Sequence, residues 1–244
     1  MSDNVTTETS AAEPTKKTIA FVWYAGATAL DMVGPIQTLS ALSFVDPAYE
    51  VVVVGASKTP MPSDCSVTIV PTHTFDELPQ PWAVFVPGGM DATYLAMADE
   101  TLLAWLREAT ATAEVFGSIC TGSLILAAAG LLEGRRATSH WALRDRLAAF
   151  GAIPVAERWV EDGNVITAAG VSAGIDMALF LAQRLAGEEA ARFIQFGIEY
   201  DPAPPLGALD WDAFDAEGMV KGAQAHAAGV LAAHPSLAEA LSPS

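Results

Sequence analysis

The residue whose type and position most clearly suggest chemistry is Cys120, which stands between a short apolar run and a helix of small residues. Residues 115–119 read V-F-G-S-I and favour a β-strand, while residues 124–129 are apolar and rich in alanine, as in a helix. Gly117 and Gly122 flank the cysteine and leave room for a tight turn. Backbone N–H groups at a helix N-terminus favour a thiolate. We therefore expect a strand-turn-helix elbow that presents a nucleophilic cysteine, the alternative being a buried cysteine that packs like alanine.

The two cysteines of the chain are expected to differ in reactivity. Cys65 lies in the polar turn M-P-S-D-C-S, far along the chain from Cys120. Two unrelated cysteines do not suggest a disulfide framework, so the sequence favours a cytoplasmic protein. Because the elbow should lower the pKa of Cys120, this thiol is expected to react first with electrophiles and peroxide near neutral pH.

Two further groups follow predicted strands. Asp31 lies after the strand at 18–23, in L-D-M-V-G-P, where it could simply stabilise the N-terminus of a helix. Gly88 and Gly89 follow the strand at 84–86 and could form only a turn. Small residues there would also let backbone N–H groups approach a bound anion, together with the N–H group of Thr121.

Strands and helices alternate along the chain without a linker or repeat. The pattern predicts strands at 18–23, 49–54, 66–70 (a short edge strand), 84–86 and 115–119, a hairpin at 159–167, and helices at 30–42, 101–112, 124–129, 172–185, 188–200 and 215–233. This order indicates one doubly wound α/β domain with a mainly parallel central sheet flanked by helices. The expected boundaries are a disordered tail at 1–16, the α/β domain at 17–205, and a C-terminal wrapping segment and helix at 206–244.

Composition excludes several classes of function. The chain has 244 residues and a formal net charge of −17, and it lacks the basic clusters that bind nucleic acid. Although 52% of its residues are hydrophobic, no apolar run approaches the roughly 18 residues of a membrane span. The polar N-terminus does not resemble a signal peptide. Neither metal-ligand spacing nor a phosphate-binding glycine loop is present, so no cofactor or metal is implied.

Several motifs together resemble one superfamily. They are the P-G-G at Pro87, the S-I-C-T-G-S elbow, A-A-G-L-L-E-G-R-R-A-T-S-H-W and G-V-S-A-G-I-D. This string is similar to the ThiJ/PfpI superfamily, whose fold is glutamine-amidotransferase-like and flavodoxin-like, over roughly residues 18–205. Protease-like members place histidine directly after the nucleophile. Thr121 occupies that position here, so a Cys-His peptidase is not expected.

Within that superfamily, the sequence most resembles the isocyanide (isonitrile) hydratases. The resemblance rests on L-D-M-V-G-P around Asp31, on the threonine after the cysteine, and on I-E-Y-D-P-A-P-P at 198–205. It implies that Cys120 attacks the isocyanide carbon, that Asp31 is the general acid and base, and that a thioimidate is hydrolysed to a formamide. It also implies a cofactor-independent homodimer whose partner is a small-molecule isocyanide.

Two other functions stay open. AraC-type transcription regulators carry a similar domain with the same C-T-G elbow, so a small-molecule sensing domain is one alternative, although the acidic C-terminal region does not suggest a DNA-binding unit. A glyoxalase or deglycase-type activity is the other, but such members usually carry Glu where Asp31 stands. His140, Asp176, Glu199 and Asp201 receive no catalytic assignment; Trp23, Trp82, Trp141 and Trp159 are expected in the core or an interface, or around an apolar substituent of a substrate.

Overall fold

A computed structural model describes residues 16–211, 213–214 and 216–242 of the chain. Its strands are β1 (Lys17–Val22), β2 (Tyr49–Gly55), β3 (Met61–Pro62), β4 (Thr68–Ile69), β5 (His73–Thr74), β6 (Ala83–Val86), β7 (Val115–Ile119), β8 (Arg136–Ala137), β9 (Ile153–Pro154), β10 (Trp159–Asp162) and β11 (Val165–Ala168). Its α-helices are α1 (Ala29–Ser40), α2 (Met90–Ala96), α3 (Glu100–Thr112), α4 (Gly122–Ala128), α5 (Ala173–Gly197), α6 (Ala216–Val230) and α7 (Pro235–Leu241). Short 3₁₀ helices cover Ala41–Phe44 and Arg144–Phe150.

The central sheet has seven strands in the order β10-β11-β7-β6-β1-β2-β5. All neighbouring pairs are parallel except β10 and β11, which form the expected antiparallel hairpin. From β1 the chain builds outward through β2 and β5, and then returns to add β6 and β7 on the other side. The order therefore reverses between β1 and β6, and the crevice at such a point is where open α/β sheets bind ligands.

Helices cover both faces of this sheet, because its inner strands are apolar on both sides. In β1, Ala20 and Val22 pack into one buried cluster with α3 and α4, whereas Ile19 and Phe21 pack into the other with α1 and α5. This alternation is the period of two that any strand imposes, and it explains why β1 reads as one continuous apolar run. The predicted doubly wound α/β class is confirmed.

Some predicted elements differ from the structure. The segment at 66–70 is not an edge strand of the main sheet: β4 pairs only with β3 in a separate two-stranded hairpin, and β5 forms the sheet edge. Helix α2 was not predicted, because it is short and directly follows two glycines. By contrast, the two helices expected at 172–185 and 188–200 are confirmed as the two halves of α5, because the backbone leaves the helical conformation at Gly187, where φ is +87° and ψ is 169°.

The C-terminal helices pack back onto the domain. Helix α6 contacts α2, and α7 contacts the 3₁₀ helix at Arg144–Phe150. Of the expected tail at 1–16, only Lys16 is described, and the domain boundaries stay predictions. Over the described residues, the helices are too short or too polar to cross a membrane.

Candidate active site

Cys120 lies on a sharp elbow between β7 and α4. Its φ is +57°, a left-handed conformation that costs a non-glycine residue about 1–2 kcal/mol. Hydrogen bonds on both sides of the residue hold this strained turn: the Cys120 N–H group donates to the carbonyls of Ala168 and Ala169, each at 3.1 Å. The Cys120 carbonyl accepts from the hydroxyl groups of Ser139, at 3.1 Å, and Ser123, at 3.3 Å.

The two glycines beside the elbow are needed for close packing. A Cβ atom at Gly122 would lie 2.1 Å from the Val86 carbonyl oxygen, and one at Gly117 would lie 1.7 Å from the Ile166 carbonyl oxygen. Gly122 therefore lets the elbow sit against the end of β6, and Gly117 lets β7 approach β11. These contacts are the structural reason for the glycine spacing that marked the elbow in the sequence.

Asp31 is fully buried at the start of α1, beside the end of β6. Its Oδ2 atom accepts a hydrogen bond of 2.9 Å from the Gly88 N–H group, and its Oδ1 atom is buried without a hydrogen-bond partner among the described residues. Burial raises the pKa of Asp31 from 3.8 to about 7, although the Gly88 N–H group and the Cys120 side chain act in the opposite direction. The carboxyl group can therefore exchange a proton near neutral pH.

The pKa of Cys120 is where the sequence-based prediction was wrong. Burial first, and the Asp31 carboxylate second, raise the pKa of the thiol, and they outweigh hydrogen bonds from Val171 and Thr121 that favour the thiolate. The side chain is only 7% exposed, so it loses most of its hydration. Cys120 and Asp31 thus form a buried pair that shares protons, rather than an isolated thiolate.

This geometry reverses the expected order of thiol reactivity. Cys65 is exposed and Cys120 is buried, so a bulky thiol reagent such as Ellman's reagent should modify Cys65 first in the native protein at pH 7. Cys120 should become equally reactive only on unfolding. Peptide mass spectrometry after timed quenching checks this, and faster modification of Cys120 would show that the thiol is open and ionised.

Thr121, Gly88 and Gly89 form a hydrogen-bonded layer next to the pair. The Thr121 hydroxyl lies 2.8 Å from the Thr93 hydroxyl and accepts from the Gly89 N–H group at 3.3 Å. A Cβ atom at Gly88 would lie 2.5 Å from Thr121 Oγ1 and 3.0 Å from Asp31 Oδ2. The N–H groups of Gly88 and Gly89, which were expected to face a bound anion, thus have acceptors within the protein, and Gly88 positions the acid directly.

Sequence reasoning missed several residues that complete the site. The Tyr24 hydroxyl donates to the Pro87 carbonyl at 2.8 Å, and burial raises its pKa, so it stays neutral. Asp64, on the loop between β3 and β4, accepts from the Ala29 N–H group at 3.0 Å and caps α1 beside Asp31. The position of Tyr24, two residues after the end of β1, was a usable signal. Asp64 gave none, because its partner lies 35 residues away.

Residues that were left without a catalytic assignment lie apart from the pair's hydrogen bonds. His140 Nδ1 accepts from the Ala142 N–H group at 3.4 Å, and burial lowers the pKa of the ring. Asp176 pairs with Arg158 and accepts from the Tyr200 hydroxyl at 2.9 Å. Glu199 is exposed, with a φ of +50°. Among the described residues, no cluster of His, Cys, Asp and Glu is placed to bind a metal.

The fold and the site together define an α/β protein with a cysteine on a strand-helix elbow and a buried acid at the neighbouring switch point. Residues 17–184 match the DJ-1/PfpI family. The chain therefore belongs to this family, as the motif string predicted.

Individual relatives agree with this assignment. The chain is 44% identical to an isonitrile hydratase of Pseudomonas putida over 188 residues, which cover 77% of this chain and 80% of that protein. It is 30% identical to the HTH-type transcriptional regulator CdhR of Pseudomonas aeruginosa, over 70% of this chain and 51% of the regulator. A crystal structure of a ThiJ/PfpI family protein from Pseudomonas syringae matches with a TM-score of 0.79 and 40% identity, over 93% of this chain and 90% of that one.

Proposed function

We propose that this protein is an isocyanide hydratase that converts an isocyanide to an N-substituted formamide without a cofactor. The observation that carries the proposal is the buried carboxyl of Asp31, with a pKa of about 7 and one unpartnered oxygen, next to the elbow thiol of Cys120. An isocyanide carbon must receive both a nucleophile and a proton. The similarity to an isonitrile hydratase over most of both chains supports this reaction.

In the first step, the proposed mechanism moves one proton through the Cys120–Asp31 pair. Asp31 accepts the thiol proton, the sulfur attacks the terminal carbon of R–N≡C, and Asp31 returns the proton to that carbon. The product is a thioimidate, R–N=CH–S–Cys120, and Asp31 is again a carboxylate. Because the pair exchanges a single proton internally, the buried site needs no change of net charge during attack.

In the second step, water hydrolyses the thioimidate. Asp31 accepts a proton from water as the oxygen adds to the thioimidate carbon, and this proton goes to the substrate nitrogen. The tetrahedral adduct then collapses: the C–S bond breaks, the hydroxyl proton passes to the sulfur, and R–NH–CHO leaves. We assign Thr121 to holding the elbow and Gly88 to orienting Asp31, since these are the contacts that they make. Gly89 holds Thr121 through its N–H group.

The direct test is to incubate the purified protein with a simple alkyl or aryl isocyanide and to follow the formamide by NMR. Formation of the N-substituted formamide in proportion to enzyme concentration is the expected result. A protein that binds isocyanides without turnover would contradict the proposal and favour the sensing domain, the alternative to which the similarity to a transcription regulator gives weight. A glyoxalase or deglycase-type activity is the third outcome, detected with methylglyoxal in the same assay.

The pH dependence of kcat/KM follows from the pKa of Asp31. Below about pH 7 both groups are protonated, and Asp31 cannot accept the thiol proton, so kcat/KM should fall about tenfold per pH unit. Above about pH 7 the pair carries one proton and the rate should level off. The raised pKa of Cys120 should keep this plateau well into the alkaline range. A profile that is flat from pH 5 to 8 would contradict the shared-proton pair.

The proposal includes a cytoplasmic homodimer that acts on a small molecule and not on nucleic acid. Two half-exposed apolar side chains of α1, Leu30 and Val33, support a contact with a second copy close to Asp31. The acidic net charge supports the absence of a nucleic-acid partner.

A further inference from the structure

The segment between α5 and α6, which we call the C-terminal strap (residues 201–211 and 213–214), follows a helix that starts beside the site of Cys120 and Asp31 and precedes a helix that contacts α2. Directly before it, the Tyr200 hydroxyl is anchored to Asp176, in the first turn of α5. Beyond the strap, Nε2 of His226 in α6 lies 2.6 Å from Oδ1 of Asp91, which is in the first turn of α2. Helix α2 begins directly after Gly89 and α5 shortly after Val171. Tyr200 and α6, on either side of the strap, are therefore each attached to a helix that starts beside the site.

Two aromatic residues of the strap contact a third from the domain. The ring centroid of Trp141 lies 5.9 Å from that of Trp211 and 5.6 Å from that of Phe214, both in edge-to-face geometry. Trp211 is 53% exposed and Phe214 is 44% exposed. Trp211 and Phe214 therefore pack edge-to-face against Trp141 while about half of the surface of each of the two residues is open to solvent. We call Trp141, Trp211 and Phe214 the aromatic wall.

The aromatic wall is connected to Cys120 through the residues next to Trp141. Ser139, two residues before Trp141, donates its hydroxyl to the Cys120 carbonyl. The ring of His140, which lies 5.4 Å from that of Trp141, is so close to Gly170 that a Cβ atom there would be 2.7 Å from His140 Cδ2. Gly170 directly precedes Val171, whose N–H group interacts with the Cys120 thiol. Trp141 is therefore two residues from Ser139, which contacts the backbone of the nucleophile.

We propose that the aromatic wall binds the hydrocarbon substituent of the substrate and makes the enzyme selective for isocyanides with bulky apolar groups. This inference rests on the proposed function and adds the substrate class. The reactive end of an isocyanide is a small N≡C group, which the buried Cys120–Asp31 pair accommodates, so the rest of the molecule must extend toward the edge of the sheet. We place it against the aromatic wall, whose Trp211 and Phe214 residues are about half exposed, because covering them removes apolar surface from water.

The strap lies beyond residues 17–184, the part of the chain that matches the family. Trp211 and Phe214 are therefore positions at which substrate selectivity can differ between members while the Cys120 elbow stays the same. Leu206, in the same strap, is 97% exposed and provides a matched control for removing an apolar side chain.

The test compares a small and a large ligand with Trp211→Ala, Phe214→Ala and the control Leu206→Ala. Binding of N-methylformamide and N-cyclohexylformamide, the products, is measured by calorimetry, and kcat/KM is measured for methyl and cyclohexyl isocyanide. Loss of a wall ring should weaken binding of the cyclohexyl compound and lower its kcat/KM by at least about tenfold, with the methyl compounds changed by less than about twofold. Trp211→Phe should restore most of the loss, and Leu206→Ala should behave as wild type.

The two proposals fail in different ways. Equal effects of Trp211→Ala and Phe214→Ala on both ligand sizes, or no effect on either, would overturn the aromatic wall even in an active hydratase. If the wild type hydrates neither isocyanide, the proposed function fails, and the two formamides decide by binding alone whether the wall selects apolar substituents. Melting curves of the variants should match that of the wild type, because both side chains are about half exposed.

Discussion

Replacing Cys120 with alanine should abolish isocyanide hydration while the protein stays folded. The thiol supplies the atom that bonds to substrate carbon, and loss of a covalent nucleophile lowers kcat by a factor on the order of 10⁴ to 10⁶ in well-studied enzymes. Alanine removes one sulfur atom from a site that is 7% exposed and keeps the φ of +57°. The change in folding free energy should therefore stay small beside the loss of rate.

Cys120→Ser and Cys65→Ala complete this experiment. Serine keeps the size and a hydroxyl but is a much weaker acid than a thiol, so its proton does not move to Asp31 and activity should be lost as well. Cys65 is exposed on the loop between β3 and β4, and its replacement should leave the rate unchanged. Activity above a few per cent in Cys120→Ala, measured by formamide release and with unchanged circular dichroism, would exclude the covalent mechanism.

The sequence was sufficient to locate the inner parallel strands of the sheet and the cysteine that follows one of them. Continuous apolar runs identified β1, β2, β6 and β7, because buried parallel strands cannot alternate with polar residues. Cys120 directly follows β7, so chain order marked it as a candidate nucleophile. Asp31 became the candidate acid only through the family resemblance, because a helix-terminal role was the better explanation of its position alone. Strand order could not be read in the same way, and it is strand order that creates the switch point between β1 and β6.

Properties that depend on three-dimensional surroundings were not predictable. The position of Cys120 beside a helix N-terminus suggested a lowered pKa, but burial beside a carboxylate outweighs the hydrogen bonds from Val171 and Thr121 that favour the thiolate. The Asp64 cap of α1 and the contact of Trp141 with the C-terminal strap join distant parts of the chain. Periodicity and local motifs carry no information about such contacts.

Asp31→Asn should have two effects of opposite kind: a slower reaction and a more stable protein. The amide cannot accept the thiol proton or donate a proton to the isocyanide carbon, so the rate should fall about 100-fold or more. The asparagine side-chain oxygen can still accept from the Gly88 N–H group, as Asp31 Oδ2 does at 2.9 Å. Asp31→Glu keeps the acid but moves it by about one methylene, and this misplacement can itself cost about 100-fold.

The gain in stability follows from the raised pKa. Because the pKa of Asp31 rises from 3.8 to about 7 on folding, the folded state binds more protons than the unfolded state between these values. Stability of the wild type should therefore fall as pH rises from about 4 to 7, by up to about 4 kcal/mol, and stay low above pH 7. The neutral amide in Asp31→Asn places no charge in the buried site. The variant should therefore not lose stability between about pH 4 and 7 as the wild type does.

Urea unfolding of wild type and Asp31→Asn at pH 4, 6 and 8 measures the difference in their free energies of unfolding. This difference should grow with pH and level off above about pH 7. Asp176→Asn is the matched control, because Asp176 also lies in the first turn of a helix but pairs with Arg158. Its replacement should lower stability slightly and leave kcat/KM for methyl isocyanide unchanged. If Asp31 served only as a helix-terminal acid, Asp31→Asn would instead destabilise the protein by about 0.3–1 kcal/mol and spare catalysis. Near wild-type rates in that variant would remove Asp31 from the mechanism, because a side chain that titrates in the reaction cannot be replaced by one that does not.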